Sequence, residues 1–205
     1  MKKISIYGAS GHSKVILDLL YAQQQGQLGY LLDDNTSITT HMGFPVHSPS
    51  PQRLKAHPLI LGIGDNETRR RLSKALAVDY AVALIHPSAI CSPSCQIAEG
   101  TVVMPAAVIN ADTHIGRHAI INTAAVIEHD CRLGDFVHVS PNAALAGGVE
   151  VGSGTHIGIG AQVIQGISIG KNCRIGAGTV IIKDVPDGVT LVGNPGRIIK
   201  KDHSS

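Results

Sequence analysis

The sequence contains few aromatic residues: among 205 residues there are no tryptophans, two phenylalanines and four tyrosines. A large irregular core usually depends on such side chains, because each of them buries a large apolar area. Glycine is abundant instead, at 23 residues, and the apolar residues are mainly Ile, Val, Leu and Ala. This composition favours a narrow, repetitive β structure with an aliphatic core.

The formal net charge is only +2, so the chain lacks the strongly basic surface of a nucleic-acid-binding domain, and no such partner is predicted. It also lacks an apolar run that approaches the ~20 residues needed by a membrane helix. The apolar stretch after Lys2 and Lys3 ends at Gly8, which is too early for a signal peptide and predicts a β-strand. We therefore expect a cytoplasmic protein without a membrane partner.

Cysteine is scarce as well. The four cysteines include no CxxC pair, and they are Cys91, Cys95, Cys131 and Cys173. Thiols in a cytoplasmic chain are expected to stay reduced. We predict that all four are buried structural residues and not metal ligands or disulfide partners.

An internal repeat runs through the second half of the chain. Every sixth residue from Ile97 to Ile181 is Ile, Val or Leu, fifteen times without an insertion. The residue four positions later is small or β-branched, beginning with Thr101. This is the hexapeptide repeat, in which three hexads form one triangular coil. It predicts a left-handed parallel β-helix whose large aliphatic residues point into the prism.

Weaker hexads at Ile85 and Cys91 extend the pattern upstream, so the prism is predicted to have between five and six coils, stacked roughly 4.8 Å apart. Glycine often follows the large aliphatic residue, and we expect it there to accept unusual turn dihedral angles. These glycines are at 116, 134, 152, 158, 170 and 176. By analogy with proteins of this architecture, we predict that three prisms pack side by side as a homotrimer.

The first part of the chain alternates predicted strands with predicted helices, which indicates a small parallel α/β unit of Rossmann-like type. The strands are predicted at 2–7, 28–32, 58–63 and 80–85, and the helices around 15–20 and 67–77. Residues 35–57, rich in Thr, Ser, Pro and His, are predicted to be loop. The predicted boundaries are 1–84 for this domain, 85–186 for the β-helix and 187–205 for a C-terminal tail.

A glycine-rich turn from Gly8 to His12 joins the first strand to the first helix. Free backbone N–H groups at a helix N-terminus can bind phosphate there. Asp33 and Asp34 end the second strand, where ribose or base groups are often bound. The turn is shorter than the GxGxxG fingerprint, so a tight turn that needs small residues is an equally good interpretation. Arginines 69–71 are predicted to form a solvated helix face, and contact of one of them with phosphate is the alternative.

Eleven histidines are many for this length. Because residues 18 apart stack on neighbouring coils, His129 is predicted to lie on Gly147 and His138 on His156. His129 and His138 are half a coil apart, so they cannot easily meet within one prism. If both serve one site, one chain offers His129 with Gly147 and its neighbour in the trimer offers His138 with Asn122.

A zinc site of three histidines at a trimer interface is an alternative, since some β-helix enzymes have one. Its usual local signature has two histidines five residues apart, whereas His114 and His118 are four apart. We therefore predict no metal, and we expect His114, His118 and His156 to lie on the outer surface.

Six segments together carry a family resemblance. They are GASGH at 8–12, LDD at 32–34, GIGDNE at 62–67, IHP at 85–87, NTAAVIEHD at 122–130 and VGNPGR at 192–197. With these segments the sequence resembles the NeuD/PglD-type sugar acyltransferases over nearly its whole length. That family includes acetyltransferases of UDP-4-amino-sugars on the route to bacillosamine, and sialic acid O-acetyltransferases.

The resemblance implies roles for individual residues. His129 would be the general base and Asp130 its orienting carboxylate. Gly147 would offer its N–H to the thioester oxygen, with Asn122 close by. The residues along acetyl-CoA would be His138, Ile159, Gly176 and Ala177, with the C-terminal tail completing that site. The nucleotide-sugar would be held by Ser10, Gly11, His12, Asp33, Asp34 and Gly64.

The chemistry needs such groups, because an amine that attacks a thioester must lose a proton. An imidazole with a pKa near 6.5 can accept it at neutral pH. The leading hypothesis is that acetyl-CoA acetylates the amino group of a UDP-linked 4-amino-4,6-dideoxy-N-acetylhexosamine. The alternatives are O-acetylation of sialic acid or a related sugar, and a β-helical scaffold that binds a ligand without turnover.

Overall fold

The computed structural model describes residues 2–23 and 26–201. The last four residues of the predicted tail, 202–205, lie outside the described residues. In the part described, no helix is long and apolar enough to cross a membrane.

The N-terminal unit is a five-stranded sheet with three helices. Its strands are β1 (Lys2–Tyr7), β2 (Gly26–Leu32), β3 (Thr40–His41), β4 (Phe44–His47) and β5 (Leu59–Leu61), in the order β3-β4-β2-β1-β5. Its helices are α1 (Gly11–Ala22), α2 (Pro51–Ala56) and α3 (Asn66–Ala75). All pairs are parallel except β3 with β4. The predicted loop at 35–57 is therefore wrong, since it contains β3, β4 and α2.

Seventeen two-residue strands build the solenoid. They are β6 (Leu84–Ile85), β7 (Ile90–Cys91), β8 (Gln96–Ile97), β9 (Val102–Val103), β10 (Val108–Ile109), β11 (His114–Ile115), β12 (Ile120–Ile121), β13 (Val126–Ile127), β14 (Arg132–Leu133), β15 (His138–Val139), β16 (Ala144–Leu145), β17 (Glu150–Val151), β18 (His156–Ile157), β19 (Gln162–Val163), β20 (Ser168–Ile169), β21 (Arg174–Ile175) and β22 (Val180–Ile181). Each strand from β6 to β19 pairs in parallel with the strand 18 residues on, as in His138 with His156. The parallel β-helix of five to six coils is confirmed.

The strands form three flat faces. Face 1 contains β6, β9, β12, β15, β18 and β21, and it continues into the hairpin of β23 (Val189–Val192) and β24 (Arg197–Lys201). Face 2 contains β7, β10, β13, β16, β19 and β22, and face 3 contains β8, β11, β14, β17 and β20. We name the corners by the faces that they join. The predicted strand at 80–85 is only partly right: Tyr80 forms a single parallel bridge with Leu59 of β5, whereas Leu84–Ile85 pairs with β9 on face 1.

The interior of the prism is filled as the hexads predict. Of the fifteen large aliphatic positions, fourteen are buried and Ile97 is partly buried against the same core. All of the residues four positions later are buried as well. Cys131 and Cys173 lie in this core, whereas Cys91 and Cys95, in the first coil, are only partly buried.

The backbone conformation at the corners shows that the predicted role of glycine was wrong. Every sixth residue from Gly100 to Gly178 has a positive φ between 54° and 75°, whether it is Gly, Ala, Asn, Asp, His or Phe. The glycines that follow the aliphatic residues are not among them. Their reason is space, because a Cβ on Gly152 would lie 2.6 Å from Gly170 C and from Lys171 N in the next coil.

The N-terminal unit packs on face 1. On this face, the outward side chains of the first three coils of the solenoid are buried in one apolar cluster with Ile16 and Leu20 of helix α1. These side chains are Leu84, Val102 and Ile120. The next outward residue on the same face is His138, at the point where this apolar contact ends. The fold therefore places the glycine-rich turn beside the middle coils of the solenoid.

Candidate active site

His129 stands at corner 2–3, directly after strand β13. Its Nδ1 lies 2.7 Å from Asp130 Oδ2, and both side chains are largely exposed, at 61% and 65%. Asp130 has φ 59°, a left-handed conformation that Asp adopts more easily than most residues. The corner geometry thus turns the short carboxylate back onto the preceding imidazole.

The hydrogen bond fixes the tautomer of the neutral imidazole. An ionised carboxylate can only accept, so Nδ1 carries the proton and Nε2 holds the lone pair. The bond to Asp130 raises the pKa of His129 above its usual value; desolvation opposes this rise, and the charges of Asp130 and Glu128 add to it. Nε2 is therefore a strengthened base that faces away from its carboxylate.

Gly147 lies one coil away from His129, as the 18-residue spacing predicts. A Cβ on Gly147 would come within 2.7 Å of both Cε1 and Nε2 of the imidazole. Only a residue without a side chain leaves the ring in this position. Among the described residues, the Gly147 N–H has no hydrogen-bond acceptor, so it is free to bind a ligand oxygen.

A second group of predicted residues lies at the other edge of face 2. Asn122, at corner 1–2, accepts a bond from Thr123 N at 2.9 Å, and its Nδ2 lies 3.1 Å from His138 Nε2. The amide nitrogen must donate, so His138 Nε2 is the acceptor and Nδ1 carries the proton. Burial, followed by the charges of His156, Arg69 and His12, lowers the pKa of His138 to about 3. The His138 imidazole is therefore neutral at pH 7 and a weak base.

The other residues assigned to acetyl-CoA share corner 1–2 with Asn122. Ile159 is 53% exposed, and Ala177, which lies 18 residues on, is exposed in the next coil. Gly176 precedes Ala177, and a Cβ there would lie 2.8 Å from Val192 of strand β23. Together these side chains form a column along one corner of the solenoid.

The two groups are separated by face 2, so a single protomer does not bring them together. The outward side chains of face 2 are mostly apolar, and they are Ile90, Val108, Val126, Ala144, Gln162 and Val180. His129 and Gly147 border this face at corner 2–3, and Asn122 and Ile159 border it at corner 1–2.

In the N-terminal unit, the acidic pair is partly used by the fold. Asp33 accepts bonds from Ala9 N at 2.7 Å and from Asn35 N at 2.8 Å, so it ties the glycine-rich turn to strand β2. Asp34 accepts the Tyr7 hydroxyl at 2.7 Å. Burial and this bond raise the pKa of Tyr7. Asp34 is exposed and keeps a second oxygen for a ligand.

The glycine-rich turn itself is open at the start of helix α1. Ser10 is the N-cap residue, but its side chain makes no capping bond. Gly11 has open space at its Cβ position. The first backbone N–H groups of helix α1 are therefore not capped by a side chain, and such groups can bind an anion.

His12 and Gly64 extend this region to the solenoid. Their Cβ positions are 3.8 Å apart, and the His12 ring centroid lies 6.4 Å from that of His138. Burial and the nearby charge of Arg69 lower the pKa of His12 to about 4. Within the described part of the chain, His12 Nε2 and His138 Nδ1 have no hydrogen-bond partner. A cleft of about 610 Å³ begins beside Gly64 and His138.

Two predictions about charged residues were wrong. Arg69 is only 1% exposed, so it is not part of a solvated face; Arg70 is partly buried and Arg71 is exposed. His118 is 3% exposed and packs between the rings of Tyr80 and Phe136. Burial lowers the pKa of His118 to about 4.

His114 and His156, the two other histidines predicted to lie on the outer surface, are more exposed than His118. His156 has an exposed edge, stacks on His138 at 4.6 Å and lies 2.7 Å from Ser140 Oγ, while His114 is half-buried. In residues 2–23 and 26–201, no three His, Cys, Asp or Glu side chains form a cluster suited to a metal ion.

Two family models match the chain. One, described as the PglD N-terminal domain, covers residues 3–76, and the other, the bacterial transferase hexapeptide (six repeats), covers residues 148–183. The UDP-N-acetylbacillosamine N-acetyltransferase of Bacillus subtilis (strain 168) is 43% identical over 112 residues. The match covers 51% of this chain and 52% of that enzyme, so the chain spans about half the length of this curated relative.

Solved structures match over almost the full length. PerB from Caulobacter crescentus, in complex with CoA and GDP-perosamine, is 39% identical with a TM-score of 0.90, and the match covers 98% of each chain. The acetyltransferase domain of PglB from Neisseria gonorrhoeae FA1090, in complex with acetyl coenzyme A, is 36% identical with a TM-score of 0.86. That match covers 97% of this chain and 99% of the other.

Proposed function

Since the chain belongs to the PglD-type family of hexapeptide-repeat sugar acyltransferases, we propose that it transfers the acetyl group of acetyl-CoA to the amino group of a nucleotide-linked amino-sugar. The observation that carries the proposal is the imidazole of His129, held by Asp130 with its free Nε2 over Gly147. We also propose a cytoplasmic location, because acetyl-CoA and nucleotide-sugars are cytoplasmic metabolites.

In the proposed reaction, His129 Nε2 removes a proton from the amine as it attacks the thioester carbon. The carbonyl oxygen becomes an oxyanion, and the free N–H of Gly147 donates to it. The tetrahedral intermediate then releases the CoA thiolate, which takes up a proton. Asp130 stabilises the imidazolium that forms meanwhile. General-base catalysis of this kind contributes roughly 10²–10⁴-fold.

The apolar nature of face 2 supports a homotrimer as the active form. With face 2 of each protomer turned toward a threefold axis, corner 2–3 of one protomer meets corner 1–2 of the next. His129 and Gly147 of one chain then stand opposite Asn122, His138 and Ile159 of its neighbour. This arrangement gives three equal sites, each of which is incomplete in a single protomer.

Mixed trimers test this arrangement. His129→Ala and His138→Ala are each expected to be nearly inactive alone. When the two variants are unfolded and refolded together, random assembly leaves about a quarter of the sites with both histidines intact. Recovery of about that share of wild-type activity is expected, and no recovery would place both histidines in the site of one protomer.

The substrate is tested by thiol release from acetyl-CoA with a panel of acceptors. A UDP-linked 4-amino-4,6-dideoxy-N-acetylhexosamine is the first acceptor to test, followed by GDP-perosamine, because the relatives are named for such sugars. Release with free sialic acid alone would support O-acetylation, and release with none would support a binding scaffold. In His129→Ala, turnover is expected to fall while the Kd of acetyl-CoA stays nearly unchanged; a large rise in that Kd would make His129 a binding residue.

A further inference from the structure

Arg69 of helix α3 is buried where the N-terminal unit meets the solenoid. Its Nε donates to His118 O at 2.7 Å and its Nη2 to Phe136 O at 3.1 Å. Nη1 donates to Ile63 O at 3.0 Å and Gly64 O at 3.1 Å. One guanidinium thus joins the turn before helix α3 to two coils of the β-helix.

The acceptors of Arg69 are all neutral oxygen atoms, four carbonyls and the side-chain oxygen of Asn66 at 2.8 Å. Burial lowers the pKa of Arg69 to about 10, so the group remains charged at neutral pH. A buried cation is costly unless its donors are satisfied. The rigid fork of the guanidinium therefore requires all of these carbonyls to stay in place.

Neighbouring residues of helix α3 continue the same pattern. Asn66 Nδ2 donates to Gly154 O at 3.0 Å and to Thr155 O at 3.2 Å, and Arg70 donates to Asn172 Oδ1 at 2.8 Å. His118, Phe136, Gly154 and Asn172 occupy the same corner position on four successive coils. Helix α3 is therefore bound along corner 3–1, one coil after another.

We propose that Arg69 is a positioning residue for the acetyl transfer. It holds the Ile63–Gly64 turn, and with it His12 at the nucleotide-sugar site, at a fixed height against face 1 of the solenoid. The position of this turn along the solenoid sets how far the acceptor amine reaches toward His129 at corner 2–3. The inference rests on the proposed function, because the second site to be aligned is the acetyl-CoA site on the solenoid.

The test compares Arg69→Met with Arg69→Lys and with Arg71→Met. Arg71 is the matched control, since it lies on the same helix but is exposed and makes no hydrogen bond or ion pair with the described residues. In Arg69→Met, kcat with the accepted nucleotide-sugar is expected to fall roughly 10–100-fold, because small misplacements of reactants have such effects. The Kd of acetyl-CoA and the Kd of the free nucleotide are expected to change less than about threefold. Arg69→Lys should lie between, and Arg71→Met should match the wild type.

Asn66→Ala is a milder variant for the case in which Arg69→Met does not fold. It removes the bonds to Gly154 and Thr155, and a smaller fall in kcat with the same unchanged affinities is expected. An unchanged kcat in folded Arg69→Met or in Asn66→Ala overturns the proposal. So does a parallel loss of kcat and acetyl-CoA affinity, which would mean general damage to the fold.

Hydrogen exchange separates this inference from the proposed function. If the wild type acetylates no amino-sugar of the panel, the proposed function fails. The amides of residues 62–75 are nevertheless expected to exchange faster in Arg69→Met than in Arg71→Met, with exchange in strands β16 to β22 unchanged. Equal exchange at 62–75 would show that Arg69 does not fix this segment.

Discussion

Replacement of Gly147 by alanine displaces the proposed base, His129, without replacing it. The added Cβ would lie 2.7 Å from His129 Cε1 and Nε2, about 0.7 Å closer than the 3.4 Å at which ordinary contacts begin. The imidazole is 61% exposed, so it is expected to swing toward solvent while the coil keeps its backbone. Gly147 does not have a positive φ, so alanine causes no backbone strain.

The size of the effect follows from this displacement. Misplacement of a catalytic group by about 1 Å costs on the order of 10²-fold in rate. We therefore expect kcat of Gly147→Ala to fall about 10²-fold, with a fall near 10⁴-fold as the limit if base catalysis is lost completely. The Gly147 N–H is retained, so the loss reports on the imidazole. Thiol release under saturating acetyl-CoA measures it, beside a thermal melt.

Gly166→Ala is the matched control for this variant. Gly166 lies on the same corner of the next coil and has open space at its Cβ position. Its φ is +69°, but Ala106 and Ala124 already adopt φ 58° and 54° in this solenoid. The control is expected to keep kcat within about twofold of the wild type, despite a small loss of stability. An unchanged kcat in Gly147→Ala would refute the placement of the base over Gly147.

Three further outcomes are expected. Asp130→Asn should move the acidic limb of the kcat/KM pH profile to lower pH and lower the plateau of the profile. The reason is that His129 acts as a base in its unprotonated form, and the pKa of His129 is no longer raised by the carboxylate. An unmoved limb would show that Asp130 does not act on the base. Gly152→Ala should lower the free energy of unfolding by about 1–3 kcal/mol or more, since its Cβ meets backbone atoms of the next coil, and a denaturant melt measures this. Val126→Arg, on face 2, should give a folded protein of monomer mass by light scattering with little activity, whereas an active monomer would contradict a site shared between chains.

Much of the solenoid is predictable because its residues obey a purely local rule. The aliphatic and small positions repeat every six residues, and the interior of each coil has room for little else. The corner position with positive φ escaped prediction, since it holds residues as different as His118, Asp130 and Phe136. Closure of the coil imposes that conformation, and residue preference has little part in it.

The N-terminal unit shows where local rules end. Helix α2 carries a readable signal, because Ser50 Oγ accepts a bond from Arg53 N and Pro51 stands at the first helical position. The short strands β3 and β4 carry none, since β4 forms by pairing with β2 and β3 forms by pairing with β4.

The candidate site also contains both features that the sequence predicts and features that it does not. The placement of His129 on Gly147 follows from the 18-residue period alone. The burial of Arg69 does not, because two of the carbonyls that surround it come from residues 49 and 67 positions away. Helical periodicity cannot reveal a partner surface that only tertiary packing creates.

The binding of helix α3 along one corner has a consequence for how such enzymes can diverge. Each coil offers the helix an equivalent carbonyl at this corner, so the N-terminal unit can be moved along the prism only by whole coils, in increments of roughly 4.8 Å. Insertion of one complete coil between residues 136 and 154 would separate the carbonyls that accept hydrogen bonds from Arg69 and Asn66. Insertion beyond residue 172 would leave these hydrogen bonds intact. Adaptation to a longer or shorter acceptor is therefore expected to come from substitutions of side chains at the turn near Gly64. Changes in the number of coils are expected at the C-terminal end of the prism.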